Sequence, residues 1–297
     1  MITSCLERNG GLMRFSRDFP TRRRTKSNCY SGWLGSQLAF LKSAKYRKRS
    51  SRVGLDMQIA VAASFIVLLV SCAVWSYIFW AMGQPWFWKR AIRRFEESDR
   101  AHPPQRGVIV FTGSSSINFW KTVGQDMAPL NVVNRGFGGS QMAHVTYYAN
   151  KIVLTYFPSA VVVYAGENDL SWPWSKGPET ILRDFQEFVD LVQGQLPTTW
   201  IYFVSVKPTP RRWSLREKQL RTNQLIEDFC RTQPQAQFVD VSTAMLDSNG
   251  KPRRDLFKWD GLHPSAGCYA LWTSILRPIL MERFAAHESA PRVQPAC

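Results

Sequence analysis

Cysteine and histidine are scarce in this 297-residue sequence, and the few present lie far apart. The six cysteines form no C-x-x-C pair, and none of the four histidines stands at a metal-ligand spacing from another ligand. This excludes the common zinc motifs and a disulfide-stapled scaffold. Cys230 and Cys268 form the one pair for which a bridge is considered, and the sequence leaves that pairing open.

Acidic residues are also few, with 22 Asp and Glu against 38 Lys and Arg and a formal net charge of +16. The excess is concentrated in residues 1–56, which hold thirteen basic and three acidic residues. No helix-turn-helix, zinc-finger or RNA-binding signature accompanies this tail, so we expect no nucleic-acid partner. Basic runs such as Arg22-Arg23-Arg24 repel one another and bury nothing, which predicts that residues 1–56 are largely disordered.

One long stretch of the chain, between Asp56 and Lys89, contains no charged residue. Within it, Ile59 to Met82 form a run of 24 predominantly apolar residues. As a helix this run is about 36 Å long, enough for a hydrocarbon core of ~30 Å. Tryptophans cluster towards its far end, where indole rings favour the membrane interface. We therefore predict one transmembrane helix over 57–84, followed by a linker helix over 85–105.

The direction and the processing of this anchor stay open. The tail charge favours an inside N-terminus, which makes this a single-pass membrane protein with its folded domain in the periplasm. Met57 is an alternative start to Met1, and with that start the charge argument fails or reverses. Leu69-Val70-Ser71-Cys72 is similar to a lipoprotein processing site, so a lipidated or cleaved signal is the alternative to an anchor.

The rest of the chain alternates short β-branched and aromatic runs with helical patterns. Strands are predicted at 107–112, 131–134, 160–164, 200–206 and 237–241, and helices at about 140–155, 178–194, 213–231 and 265–283. Nearly continuous apolar strands separated by helices predict an α/β fold with a parallel sheet covered on both faces. We expect one domain over 106–284 and a flexible C-terminus over 285–297. Sites in such sheets form at the carboxyl ends of the strands.

Polar segments follow these predicted strands and supply complementary chemistry. A serine hydroxyl such as that of Ser115 needs a base to take its proton, and His263 is suited to that near neutral pH. Asp260, three residues earlier, can hold the other ring nitrogen of the histidine. The backbone N–H groups of Ser115 and Gly139 and the amide of Asn168 can stabilise an oxyanion. The combination points to a serine hydrolase.

The same segments resemble, in order and spacing, the blocks of the SGNH/GDSL hydrolase family. The matching segments are Gly113-Ser114-Ser115, Gly139, Gly166-Glu167-Asn168-Asp169 and Asp260-Gly261-Leu262-His263. The resemblance implies a flavodoxin-like three-layer α/β/α sandwich with strand order 2-1-3-4-5, and no metal or cofactor. It places the nucleophile at Ser115. The usual Asp of the first block is Ser114 here, which is similar to a bacterial subgroup with a Gly-Ser-Ser-Ser block.

Loops at the same edge indicate where a substrate binds. Trp172 and Trp174 are predicted to form an aromatic wall for an acyl chain or a sugar, with ordinary packing as the alternative. Lys207 and Arg211 are predicted to meet an anionic group, with plain solvation as the alternative. We expect an acylhydrolase or acetylesterase acting on a small-molecule, lipid or glycan ester. Two alternatives stay open: an O-acyl transferase acting on a cell-envelope glycan, and a non-catalytic membrane-anchored binding module.

Overall fold

The computed structural model describes residues 29–171 and 173–288. The chain divides into two compact units, Met1–Ser71 and Cys72–Cys297. The predicted disorder of residues 1–28 and the predicted flexibility of residues 289–297 lie outside the described residues.

A long helix, α1, spans Cys29–Met82. The sequence predicted an unstructured tail up to residue 56, but residues 29–56 are helical and continue directly into the apolar segment. No proline occurs between Pro20 and Pro85, so no residue there interrupts the backbone hydrogen bonding of a helix. Within the described chain, the part of α1 from Ser36 to Met82 is the one helix long and apolar enough to cross a membrane, with a mean hydropathy of 2.4 in its most apolar window.

A short connector joins α1 to the rest of the second unit. Pro85–Trp88 form a 3-10 turn, and the helix α2 spans Lys89–Ala101. Both lie within the stretch predicted as a linker helix.

The second unit is built on five parallel strands. They are β1 Ile109–Gly113, β2 Val132–Gly136, β3 Ala160–Tyr164, β4 Trp200–Val204 and β5 Ala236–Val239. Their order in the sheet is β2-β1-β3-β4-β5, which confirms the predicted topology. Every residue of β1 and of β3 is buried, as expected for strands covered on both faces.

Helices cover the sheet and link its strands. They are α3 Ser115–Asn118, α4 Val123–Asp126, α5 Met142–Ile152, α6 Glu167–Leu170, α7 Pro178–Gln195, α8 Arg216–Arg231 and α9 Ala266–Glu288. Because side chains alternate along a strand, neighbouring strand residues enter different cores. Val161 packs with α5, α7 and α8, whereas Val162 packs with α9. This is the expected three-layer α/β/α arrangement.

The two cysteines considered for a bridge lie in different cores. Cys230 belongs to the core on the α8 face and Cys268 to the core on the α9 face, and both are free thiols. The sheet lies between them, so the pairing that the sequence left open does not form. Burial raises the pKa of each thiol to about 12.

Candidate active site

The candidate catalytic residues come from segments that follow the strands at their carboxyl ends. Ser115 begins α3 directly after β1, Gly139 follows β2, and Asn168 lies in α6 after β3. The loop that holds Asp260 and His263 precedes α9. The structure therefore places them where sites of parallel α/β sheets form.

The turn after β1 exposes the middle one of three adjacent serines. Gly113 has a φ of +128°, and a Cβ there would lie 1.9 Å from the carbonyl oxygen of Tyr164, so the turn needs glycine. Ser114 and Ser116 are buried, whereas Ser115 is partly exposed. The Ser116 hydroxyl accepts a hydrogen bond from Lys207 Nζ at 3.0 Å. Ser115 is thus the serine of the three that an external ester can reach.

Asp260 and His263 form a hydrogen-bonded pair. Nδ1 of His263 lies 2.6 Å from Oδ2 of Asp260, and Oδ1 of Asp260 accepts the backbone N–H groups of Leu262 and His263. Desolvation raises the pKa of Asp260, but the hydrogen bonds from His263 and Leu262 outweigh it and lower that pKa to about 2. A carboxylate only accepts, so Nδ1 is the protonated nitrogen and Nε2 is left to take a proton.

Phe119 brings the histidine next to the serine turn. Its backbone N–H donates to the Ser115 carbonyl oxygen at 2.9 Å, and its ring centroid lies 5.0 Å from that of His263. Among the described residues no hydrogen bond joins the Ser115 hydroxyl to the His263 ring. Catalytic hydrogen bonds of this kind are often long in free enzymes and shorten when substrate binds. Phe119 is therefore the residue that links the two: its backbone bonds to Ser115, and its ring packs against His263.

The Asn168 side chain is oriented from both of its ends. Its Nδ2 donates to the carbonyl oxygen of Ser140 at 3.0 Å, and its Oδ1 accepts from Arg212 Nη1 at 3.2 Å and Nη2 at 3.3 Å. An amide NH₂ carries two hydrogens, so one is left for a ligand. Arg212 was not among the predicted site residues. The signal that could have found it is Glu167, because a carboxylate in a segment that follows a buried strand needs a cation nearby.

The two backbone N–H groups predicted as further oxyanion donors are those of Ser115 and Gly139. Ser115 is the first residue of α3, so its N–H has no acceptor within that helix. Gly139 has a φ of +82°, and its N–H donates no hydrogen bond within the described part of the chain. A Cβ at Gly139 would lie 2.9 Å from Cη2 of Trp88, so the loop packs tightly against the connector after α1.

Lys207 corrects one prediction. We expected it to contact substrate, but its side chain is 1% exposed. Its Nζ contacts Glu167 Oε2 and donates to the hydroxyls of Ser116 and Tyr164, both at 3.0 Å. A buried carboxylate needs a paired cation, and Lys207 meets that need below the serine turn. Desolvation raises the pKa of Glu167, but Lys207 and Arg212 together lower it further than burial raises it.

The other predicted substrate contacts stay predictions. Arg211 is exposed, and its backbone N–H donates to the Gly261 carbonyl oxygen at 3.0 Å, beside the Asp260 loop. Trp174 is partly buried near the connector. Trp172 lies outside the described residues.

The described residues contain no candidate metal site, and one cavity lies far from the strand ends that hold the candidate residues. Over 29–171 and 173–288, no group of three or more His, Cys, Asp and Glu is placed to hold a metal ion. A cavity of about 810 Å³ opens at the amino ends of the strands, and none of the candidate catalytic residues lines it.

The arrangement has the parts that a serine hydrolase requires: an accessible serine, a histidine held by a carboxylate, and oriented hydrogen-bond donors. A sequence model of the GDSL-like Lipase/Acylhydrolase family matches residues 107–271, and the chain belongs to this family. Membership makes it a hydrolase that acts on esters.

Curated relatives are similar to the chain in sequence, and a solved structure is similar to it in fold. The chain is 26% identical over 220 residues to platelet-activating factor acetylhydrolase IB subunit alpha1 of Pongo abelii, covering 70% of this chain and 90% of the relative. It is 24% identical over 204 residues to subunit alpha2 of Gallus gallus, covering 66% and 84%. A GDSL-like lipase of Bacteroides thetaiotaomicron has a similar fold, with a TM-score of 0.55 at 19% identity over 64% of this chain and 97% of that one.

Proposed function

We propose that the protein is a membrane-anchored serine esterase that cleaves a carboxylic ester through an acyl-enzyme on Ser115. The observation that carries the proposal is the Asp260–His263 hydrogen bond together with the partly exposed Ser115 in the turn after β1. It supplies a base in the tautomer that serine activation needs.

Acylation begins when the Ser115 oxygen attacks the ester carbonyl carbon while Nε2 of His263 takes the hydroxyl proton. The carbonyl oxygen becomes an oxyanion, which the N–H groups of Ser115 and Gly139 and the amide of Asn168 stabilise. The bond to the alcohol oxygen then breaks, and the alcohol leaves with the proton from His263. The acyl group stays on Ser115.

Deacylation repeats these steps with water as the nucleophile. His263 takes a proton from the water, the carboxylic acid is released, and the proton returns to Ser115. Asp260 stays ionised throughout, because its pKa of about 2 lies far below neutral pH. It orients the imidazole and stabilises the imidazolium that forms in each half-reaction.

The anchor in this proposal is α1. Its apolar window supports a single membrane crossing, and the basic residues before that window favour a catalytic domain on the periplasmic side. The curated relatives are named for hydrolysis of an acetyl group, so acetyl esters are the first substrates to assay.

The test uses the full chain in detergent with p-nitrophenyl acetate and a fluorophosphonate probe. We expect Ser115→Ala to lose both turnover and labelling. Ser114→Ala is the matched control, since it removes a neighbouring buried hydroxyl. Full turnover and labelling of Ser115→Ala would exclude the proposed nucleophile. A transferase would instead show itself by acyl product on an added glycan that forms faster than free acid.

A further inference from the structure

A groove of about 740 Å³ lies where the end of α1 meets α5 and the loop before α7. All of its lining residues belong to the second unit. Its walls are mostly aromatic or otherwise apolar, and include Phe79, Trp80, Tyr147, Pro173 and Trp174. The volume falls in the range of about 300–1,000 Å³ that is typical of small-molecule sites.

A buried donor without a partner lines the same groove. Gln141 is 3% exposed, and its Nε2 has no hydrogen-bond partner among the described residues. A buried N–H group without an acceptor is unfavourable, so an oxygen atom placed at this end of the groove would stabilise it. Gln141 directly follows Ser140, whose carbonyl oxygen accepts from Asn168. The polar part of the groove therefore adjoins the loop of the proposed oxyanion site.

The groove is held at the end of the apolar helix by a set of hydrogen bonds. His144 Nε2 donates to the Gly83 carbonyl oxygen at 2.9 Å, and its Nδ1 accepts from Trp88 Nε1 at 3.2 Å. The Tyr148 hydroxyl donates to the Pro85 carbonyl oxygen at 2.6 Å. These contacts tie α5 to the connector after α1.

The residues that line the groove indicate from where a ligand would enter it. Phe79 and Trp80 line the groove and also belong to the helix that is long and apolar enough to cross a membrane. Trp80 is 57% exposed, so this wall continues onto the lipid-facing surface of the helix. A hydrocarbon chain can pass from a bilayer into the groove along this apolar surface, whereas a glycan cannot enter from the bilayer, because its hydroxyl groups would have to leave water without hydrogen-bond partners.

We propose that this groove binds the long hydrocarbon chain of a membrane lipid ester, with Gln141 donating a hydrogen bond to a lipid oxygen. The inference rests on the proposed function and names the substrate class for the same site. The chain enters from the bilayer, and the ester then meets the donors beside Ser115. The enzyme is thus selective for amphiphiles that lie in the membrane.

The experiment compares labelling of the full chain, reconstituted in phosphatidylcholine vesicles, by a hexadecyl and by an ethyl fluorophosphonate. We expect the hexadecyl probe to label faster. Ala143→Trp fills the groove from α5 and should lower the hexadecyl-to-ethyl rate ratio by about tenfold or more, since each methylene excluded from apolar contact weakens binding several-fold. Asn150→Trp, exposed on the same helix outside the groove, should leave the ratio unchanged.

Trp80→Ala is the second variant, because it removes one wall from an exposed helix face and keeps the test valid if Ala143→Trp does not fold. A ratio that stays within twofold of wild type in the folded variants would overturn the groove proposal while leaving the esterase intact. Absence of labelling by both probes in the wild type would instead contradict the proposed function.

Discussion

Arg212 fixes the Asn168 amide through two hydrogen bonds to Oδ1, and it also donates to the Glu167 carbonyl oxygen at 3.2 Å. Arg212→Met keeps a long side chain but removes all three bonds and the charge. The Asn168 amide is then held only by the Ser140 carbonyl and can turn away from the oxyanion. Loss of one oxyanion donor costs about 10²–10³-fold in kcat. In Arg212→Met the Asn168 donor is still present but is misplaced part of the time, so the loss in kcat should be smaller, about 10–100-fold.

The assay is steady-state hydrolysis of p-nitrophenyl acetate by the full chain, with kcat and KM measured separately. We expect kcat to fall and KM to change less than about threefold, because the interaction is made mainly in the transition state. Arg212→Lys is the matched control, because it keeps the positive charge near Glu167 but cannot donate two hydrogen bonds to Asn168. Compared with Arg212→Met, it should restore most of the folding stability but little of the lost kcat.

A double-variant cycle tests whether Arg212 acts through Asn168. Once Asn168→Ala has removed the amide, Arg212→Met should lower kcat little further. If the two losses multiply independently, Arg212 does not work by orienting that amide, and the reasoning is refuted.

Three further predictions concern ionisable groups in the same unit. Asp260→Asn should lower kcat by about 10⁴-fold, since the neutral amide no longer selects the tautomer with Nε2 free; wild-type-like kcat would contradict this. Burial lowers the pKa of His144 below 6.5, with Lys176 and Asp184 as neighbouring charges, so the unfolded state binds its proton first as pH falls. The free energy of unfolding should therefore be highest above pH 6.5 and decrease below it. Urea melts at pH 7.5 and 5.5 should show a smaller decrease for His144→Gln than for the wild type. Lys207→Met should destabilise the domain by about 3–5 kcal/mol in urea melts, because Glu167 keeps a buried charge, and Lys207→Met with Glu167→Gln should recover part of the loss.

The sheet could be predicted almost completely from the chain. Its central strands are continuous apolar runs because helices cover both faces, and that pattern is local enough to recognise without a structure. The site at the carboxyl edge followed from the same logic, since residues such as Asn168 and His263 stand directly after strands or before the last helix. The order of the strands came from the family resemblance.

The roles of the cations after β4 could not be predicted. Lys207 and Arg211 look alike in sequence, but of these two only Lys207 contacts the buried Glu167, and that contact joins segments 40 residues apart. The residues next to Lys207 in the sequence give no information on a contact with a residue so far along the chain. The contact of Gly139 with Trp88 is a similar case, because it depends on how the connector after α1 folds back.

The helical state of residues 29–56 was also missed. Clustered positive charge argues against a packed core, but it does not prevent a helix, and the side chains over 36–49 of this helix are exposed. The charge pattern of this stretch predicts that its side chains stay in solvent, but it does not predict whether its backbone is helical.

The most direct test of the account is to find which serine carries the adduct after reaction of the full chain with a fluorophosphonate. The labelled protein is digested, and the peptide covering the turn after β1 is fragmented by mass spectrometry. The account predicts the phosphonyl group on Ser115 alone, and loss of the adduct when His263 is replaced by Ala. An adduct on Ser114 or Ser116, or one that forms at the wild-type rate without His263, would contradict it.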